Sequence, residues 1–350
     1  FFPPWSTAWA RSAWAGRIKP LKTMDYRELF QRNYGVFREA EQERLRQARI
    51  LIVGCGGIGG TVAVILARSG VERFVLCDFD VYSPTNMNRQ IACFTDTLAR
   101  KKSEVLRETI LRINPEARVT AYTERLPHDR IAELMDDVDF VFPATDDFAF
   151  SIFVFRDARR LGKPALLVYP AGAWAHVSII PPGAPSLEQM EGLPNLGSYE
   201  VLRDALEVRR YKFGTYFYVP LADWRIDYYR GFIEEDFRPT QLCPFVWLSS
   251  CIGAFETVKV LSGKWKPVAS PHYWEITAGD ARIRRIHGCS LHTLLVWQRK
   301  IMWRIFQTPL GPALERIQGI WWRLFYRFMK SRKERRARRD VRRGIGGGNP

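Results

Sequence analysis

Residues 54–60, Gly54-Cys55-Gly56-Gly57-Ile58-Gly59-Gly60, follow a short apolar run and open a helical pattern. Glycines in that position let the backbone approach phosphates, and the helix N-terminus offers them partial positive charge. About 20 residues further on, Asp78 ends a second apolar run, the place from which a carboxylate accepts hydrogen bonds from a ribose. Taken alone, this pair suits the dinucleotide of a hydride-transfer enzyme as well as any other nucleotide. The segment that follows differs. Residues 78–91 (DFDVYSPTNMNRQI) are long and polar where a dinucleotide domain turns directly into a helix, and they carry Asp80, Asn86, Arg89 and Gln90. Lys102 comes next, 12 residues before Asn114-Pro115, and Thr145-Asp146-Asp147 follows another apolar run. Cations that neutralise a triphosphate, with a carboxylate to hold Mg²⁺, fit phosphoryl chemistry, and hydride transfer needs neither. Asp80 ranks below Asp78 because it also suits a loop cap. Asp147 suits a helix N-cap as well as a ligand, and the spacing to Asn114 favours Lys102 over Lys101.

These residues need strand ends and helix starts to converge, and the hydropathy pattern supplies them. FREAEQERLRQA (37–48) predicts a helix running into RILIVG (49–54), a continuous apolar run of the kind buried in a parallel sheet. TVAVILARSG predicts a helix, FVLC a strand, and Ala99–Ile113 a helix stopped by Asn114-Pro115. ARVTAY (117–122), DFVFPA (139–144) and PALLVY (164–169) predict strands, with a helix over Phe148–Leu161 between the last two. The alternation predicts an α/β fold, a doubly wound, mostly parallel, Rossmann-like sheet. Beyond Pro170 the rhythm changes. AHVSII (175–180) predicts a strand, 181–242 an irregular segment, Pro244–Gly263 a helix, and YWEIT and ARIRRI two closing strands. The expected division is a disordered leader (1–23), a nucleotide-binding core (24–180), a substrate-binding segment with closing helix and strands (181–289), and a basic helical tail (290–350).

The chain of 350 residues is 47% hydrophobic, which excludes a wholly disordered or collagen-like chain. Its +16 net charge is uneven. Residues 1–23 carry four Lys/Arg and no acid, and 291–350 carry 15 against three, so the body between them is neutral. A uniformly basic nucleic-acid enzyme would look different. Arg11 and Arg17 interrupt any apolar stretch of a secretory signal. No run of about 18 residues lacks charge and strong polarity, so no spanning helix is expected. Cys55, Cys77, Cys93, Cys243, Cys251 and Cys289 form no CxxC pair. They read as reduced thiols of a cytoplasmic protein, and no structural zinc is expected. In the tail, Leu314, Ile317, Trp321, Leu324, Phe325 and Phe328 recur at helical spacing, with Arg316, Arg323, Arg327 and Lys330 at other angles and SRKERRARRDVRR behind them. Over 313–343 this pattern suits an anionic membrane surface, docking on the body or a partner, or RNA phosphates.

At RN (32–33), GxGGxG, DFD, NxNRQ, the helix lysine, INP and TD, the chain resembles the ThiF/MoeB/HesA family, the adenylating domain shared with ubiquitin-activating enzymes. The resemblance runs from about Arg32 to Pro170 and returns at GAFETVKVLSG (253–263). It implies an ATP- and Mg²⁺-dependent adenylyltransferase that activates a carboxylate, the C-terminal glycine of a ubiquitin-like or sulfur-carrier protein. By the resemblance, Gly54, Gly56, Gly57 and Gly59 approach the nucleotide and Asp78 holds its ribose. Asn86, Arg89 and Gln90 line the phosphate path, with Arg89 and Lys102 on the phosphates, and Asp146 coordinates Mg²⁺. Arg32 matches the family's arginine finger, commonly supplied by the other subunit of a homodimer. Two departures stand out: the two CxxC pairs are missing, and Cys243 is the only candidate for a thioester nucleophile, so simple adenylation is expected. PTNMNRQ and INPEARVT also resemble the tRNA threonylcarbamoyladenosine dehydratase group, the alternative enzyme reading. A nucleotide-binding membrane-associated scaffold without catalysis is the other alternative.

Overall fold

The computed structural model describes residues 25–207, 224–234, 237–286 and 291–306, with scattered positions from 308 to 331. The leader expected over 1–23 lies outside the described residues, as do much of the 313–330 pattern and all of the basic run after Ser331.

The central strands of the core are short apolar runs buried on both faces, whereas the edge strand Arg118–Tyr122 is exposed or half-buried along its length. In β1 (Arg49–Val53), Leu51 and Val53 face one hydrophobic cluster while Ile50 and Ile52 face the other. This two-sided burial explains why the strand reads as continuous rather than alternating. β1 pairs in parallel with β2 (Arg73–Cys77) on one side and β4 (Phe140–Pro143) on the other. β3 (Arg118–Tyr122) extends the sheet beyond β2, and β5 (Ala165–Ala171) extends it beyond β4, both in parallel. β6 (Trp174–Ile180), β7 (His272–Thr277) and β8 (Asp280–Arg285) then add antiparallel, giving the order β3-β2-β1-β4-β5-β6-β7-β8. The chain leaves β1 in both directions, so a crevice opens at the carboxyl ends of β1 and β4, where ligands of such sheets bind.

Helices cover both faces. α1 (Tyr26–Leu29) and α2 (Glu39–Gln47) precede β1; α3 (Gly57–Arg68) and α4 (Lys102–Ile113) follow β1 and β2. α5 (His128–Leu134) and α6 (Phe148–Arg160) pack on the other face with α7 (Leu187–Glu191) and α8 (Tyr199–Glu207). Two expectations need correction. The helix expected from Ala99 starts at Lys102, because Ala99 has φ +61 and its N–H donates to the Tyr82 carbonyl, closing a turn ahead of the helix. The segment expected to be irregular over 181–242 contains α7, α8 and α9 (Ile226–Glu234). Its helices are brief, and its proline and glycine content hides their periodicity.

α10 (Cys243–Ser262) is long and apolar enough to cross a membrane by length and composition. It is an exception to the expectation that no stretch qualifies, yet half of its most apolar window is buried, and it packs on α3, β5 and β6. Gly253 permits the close approach, since a Cβ there would lie 2.9 Å from Val168. Glu256, fully buried, ties α10 to the antiparallel strands. Its carboxylate accepts from Trp274 Nε1 (2.8 Å), the Val268 N–H (2.7 Å) and Lys259 Nζ (2.7 Å). Glu256→Ala orphans all three donors and is expected to lower unfolding free energy by about 3 kcal/mol, measured as a shifted denaturation midpoint.

Candidate active site

The glycine loop is shaped by collisions that side chains would cause. Gly54 has φ +103, and a Cβ on it would lie 2.4 Å from the Ala144 carbonyl oxygen at the end of β4. A Cβ on Gly59 would lie 1.9 Å from the Gly54 carbonyl oxygen. The first turn of α3 therefore sits directly on the ends of β1 and β4, and its free N–H groups face the crevice. Gly59 makes that packing possible and does not itself line the cleft, whereas Gly54, Gly56 and Gly57 do.

Asp78, at the end of β2, holds the loop from the side. One carboxylate oxygen accepts from the Cys55 N–H (2.7 Å) and the other from the Asp80 N–H (2.8 Å). Burial raises the Asp78 pKa, opposed by Lys102 and by these two amides. Each oxygen keeps a second lone pair, so the loop contacts leave room for a ribose hydroxyl. Cys55 is buried beneath the loop, and burial pushes its thiol well up, as expected of a small packing residue.

The polar segment after Asp78 supplies the cations. Lys102 is only 7% exposed and its Nζ reaches Asp80 at 2.9 Å, while Lys101 turns away to donate to the Phe79 carbonyl. Both members of the Lys102–Asp80 pair line the cleft. Arg89 donates through Nη1 to the Thr85 carbonyl (3.0 Å) and to Asn88 Oδ1 (2.8 Å). Trp247 of α10 donates to the Arg89 carbonyl at 2.8 Å. Burial lowers the Arg89 pKa, Asp146 opposes this, and Arg238 adds to it. Two buried atoms beside the loop, Arg89 Nε and Gln90 Oε1, have no hydrogen-bond partner among the described residues. Asn86 stands apart from the cleft. It caps its own turn, accepting from the Ser83 N–H at 3.0 Å, so it shapes the segment that carries Arg89.

Asp146 is exposed on the cleft wall just beyond β4. Asp147, which also lines the cleft, is the N-cap of α6, accepting from the Phe150 N–H (2.9 Å) and from the Tyr199 hydroxyl. Among the described residues no three His, Cys, Asp or Glu side chains converge. The donor set at Asp146 is thus one carboxylate beside open space, which suits Mg²⁺ held mainly by phosphate oxygens and water.

The whole cleft measures about 860 Å³. Part of its wall comes from residues that sequence patterns did not single out: Arg125 stacked over Phe79 at 4.3 Å, Tyr199 and Glu200 of α8, and Arg238 and Gln241 ahead of α10. Asn88 Nδ2 donates to the Gln241 carbonyl at 3.2 Å, joining that segment to the NxNRQ stretch. Cys243, half-buried at the start of α10, does not line the cleft. Arg32 is not brought to the cleft either. It is exposed on a 3₁₀ turn (Gln31–Gly35) whose Asn33 donates to the Ser69 carbonyl at the far end of α3. The twelve residues of α3 put about 18 Å between that end and the glycine loop.

Fold and cleft together define a mixed α/β protein with a glycine-loop cleft at the switch point of its sheet. The family model named ThiF family matches residues 30–292, and the chain belongs to that family. It is similar to the sulfur carrier protein ThiS adenylyltransferase of Escherichia coli K12, 29% identical over 258 residues that cover 71% of this chain and 87% of the relative. A probable adenylyltransferase/sulfurtransferase MoeZ of Mycobacterium tuberculosis is 35% identical over 123 residues, 35% of this chain and 31% of that one. A tRNA threonylcarbamoyladenosine dehydratase of Escherichia coli K12 is 32% identical over 148 residues, 42% of this chain and 55% of that one. The chain thus spans under a third of MoeZ and about half of the dehydratase. Among solved structures, E. coli MccB with ATP shares the fold with a TM-score of 0.57 at 20% identity, covering 75% of this chain and 71% of that one.

Gly54→Ala tests the loop. The added methyl meets backbone at a positive φ, so the variant is expected to lose about 2 kcal/mol of stability and most of its nucleotide affinity, read by thermal shift with and without ATP.

Proposed function

We propose that the cleft binds ATP and adenylates a carboxylate, that of the C-terminal glycine of a ubiquitin-like or sulfur-carrier protein. The observation that carries this reading is that Arg89, Arg238 and Lys102 line one cleft with the glycine loop and with Asp146, which interacts with Arg89. That set suits a bound polyphosphate. The ThiS adenylyltransferase relative, matched over most of its length, supports a sulfur-carrier substrate.

In this reading the substrate carboxylate, ionised at pH 7, attacks the α-phosphorus. The bond to the leaving pyrophosphate breaks, giving an acyl-adenylate, and no general base is needed. Arg89 and Lys102 stabilise negative charge on the phosphoryl oxygens, and their partial burial strengthens the effect. Asp80 fixes the direction of the Lys102 ammonium. Asp78 positions the glycine loop and accepts from the ribose. Asp146 holds Mg²⁺, which neutralises phosphate charge when bound. The segment ahead of α10, with Arg238 and Gln241, forms the side of the cleft from which the carrier's C-terminus enters. Arg32, remote from its own cleft, completes that of a second copy in a homodimer.

ATP–pyrophosphate exchange with a carrier protein ending in Gly-Gly tests the reading. Lys102→Ala is expected to lower exchange at least about a hundredfold. Arg32→Ala is expected to lower it too, and mixing the two variants to restore part of it, because one cleft of the mixed dimer keeps both groups. Exchange driven by tRNA and not by carrier protein would transfer the reading to the dehydratase-like alternative, which the 148-residue match supports. Exchange unaffected by Lys102→Ala would overturn the assignment of the cleft.

A further inference from the structure

A second cleft, of about 950 Å³, lies on the α6 face of the molecule between the C-terminal end of α6 and α11 (Leu291–Phe306). It is remote from the glycine loop, since the other end of α6 carries Asp147 and the helix is about 20 Å long. Its lining gathers Arg156, Arg159 and Arg160 from α6 with Lys300 and Arg304 from α11. Glu188 answers Arg156 and Asp157 answers Arg160. No acidic side chain pairs with Arg159, Lys300 or Arg304 among the described residues. Three cations from two distant parts of the chain therefore share one open surface without a counter-charge, in a protein whose central body is neutral.

The angular order around α11 gives this surface a direction. Val296, Arg299 and Trp303 are buried, with Trp303 in the core cluster beneath α6 and Arg299 bonded to Glu191. Lys300 and Arg304 come next around the helix, at the mouth of the cleft. Trp297 and Ile301 follow, 62% and 52% exposed, beside the two cations and facing away from the body. Packing the buried face leaves α11 with an outward stripe of one aromatic and one aliphatic side chain flanked by positive charge. The described positions from 311 to 331 are helical, and among them Ile317, Ile320, Leu324 and Phe328 are exposed at helical spacing. Residues 331–343 then carry eight Lys/Arg against two acids.

We propose that α11 seats this protein on an anionic phospholipid surface, with Trp297 and Ile301 entering the interface and the α6–α11 cations receiving headgroup phosphates. Charge complementarity selects the occupant. Exposed apolar side chains in one stripe have no use for RNA, whose stacking platforms are grooves of several aromatics. A protein partner covering the stripe would have to answer an excess of cations with its own acids. An interfacial bilayer supplies an apolar layer under a phosphate layer in the same order as the helix presents them. This inference does not depend on which reaction the glycine-loop cleft performs.

Co-sedimentation of the full chain with vesicles tests it, using phosphatidylcholine alone against equal phosphatidylcholine and phosphatidylglycerol, at 0.1 M and 0.5 M NaCl. Binding is expected to the anionic vesicles and not to the neutral ones, and to weaken at high salt as screening requires. Lys300→Glu with Arg304→Glu, and separately Trp297→Ser with Ile301→Ser, are each expected to lower vesicle affinity at least about tenfold. These four side chains lie on the surface, and circular dichroism of each variant checks the fold. Equal binding to neutral vesicles, or no binding to anionic ones, would overturn the proposal whatever the variants do. Unchanged affinity in both well-folded variants would overturn it too. A preference for tRNA over anionic vesicles at the same salt would assign the surface to nucleic acid instead.

Discussion

The approach of the first turn of α3 to the ends of β1 and β4 is the constraint on which the site depends. It is possible only because Gly54 and Gly59 lack side chains, the one set against the Ala144 backbone and the other against Gly54 itself. Once that contact closes, the N–H groups of the loop point into the crevice and Cys55 comes within reach of the Asp78 carboxylate. Asp78 in turn accepts from the Asp80 amide, and Asp80 fixes Lys102. A close backbone contact thus sets the direction of a lysine on a different helix. Removing the contact would leave the same charged residues in place with no common target.

Four of the first five strands, β1, β2, β4 and β5, were legible because burial on both faces writes itself as apolar runs, and the glycine loop, Asp78 and Asp146 stand at the ends of such runs. The edge strand β3 is exposed or half-buried and lacks that signal. The spacing to Asn114 favours Lys102 over Lys101, and the two differ in the structure: the Lys102 ammonium pairs with Asp80 on the cleft wall, while that of Lys101 donates to the Phe79 carbonyl. Less legible was whatever depends on contacts between distant segments. Arg238 and Gln241 reach the cleft through the Gln241–Asn88 bond, which joins positions 153 residues apart, and no local pattern marks them. The helices of 181–242 were hidden by their brevity among turn-forming residues. The helix start at Lys102 was misplaced by three residues because nothing in the composition around Ala99 announces a positive φ there. Asn86 reads as a ligand by its place in NxNRQ, and in the structure its Oδ1 accepts from the Ser83 N–H within its own turn.

The uneven charge has a structural counterpart. Around the glycine loop, cations are balanced against Asp78, Asp80 and Asp146 and stand ready for a ligand that brings its own negative charge. Around α11 they are left unbalanced on an open face. The first arrangement suits selective binding of a small polyanion in a partly dry cleft, where charge-assisted bonds are strong. The second suits a broad, salt-sensitive attraction. Both kinds of site occur in one chain because the neutral body separates them by the length of α6.

In the proposed function the cleft between β1 and β4 is a polyphosphate site and not simply a dinucleotide fold. Calorimetric titration of the full chain with ATP, adenosine and NAD⁺, repeated on Arg89→Ala and Arg238→Ala, tests it most directly. ATP is expected to bind at least about a hundredfold more tightly than adenosine, and each variant to remove at least about tenfold of that advantage. Equal affinities for ATP and adenosine, or tighter binding of NAD⁺ than of ATP, would contradict it.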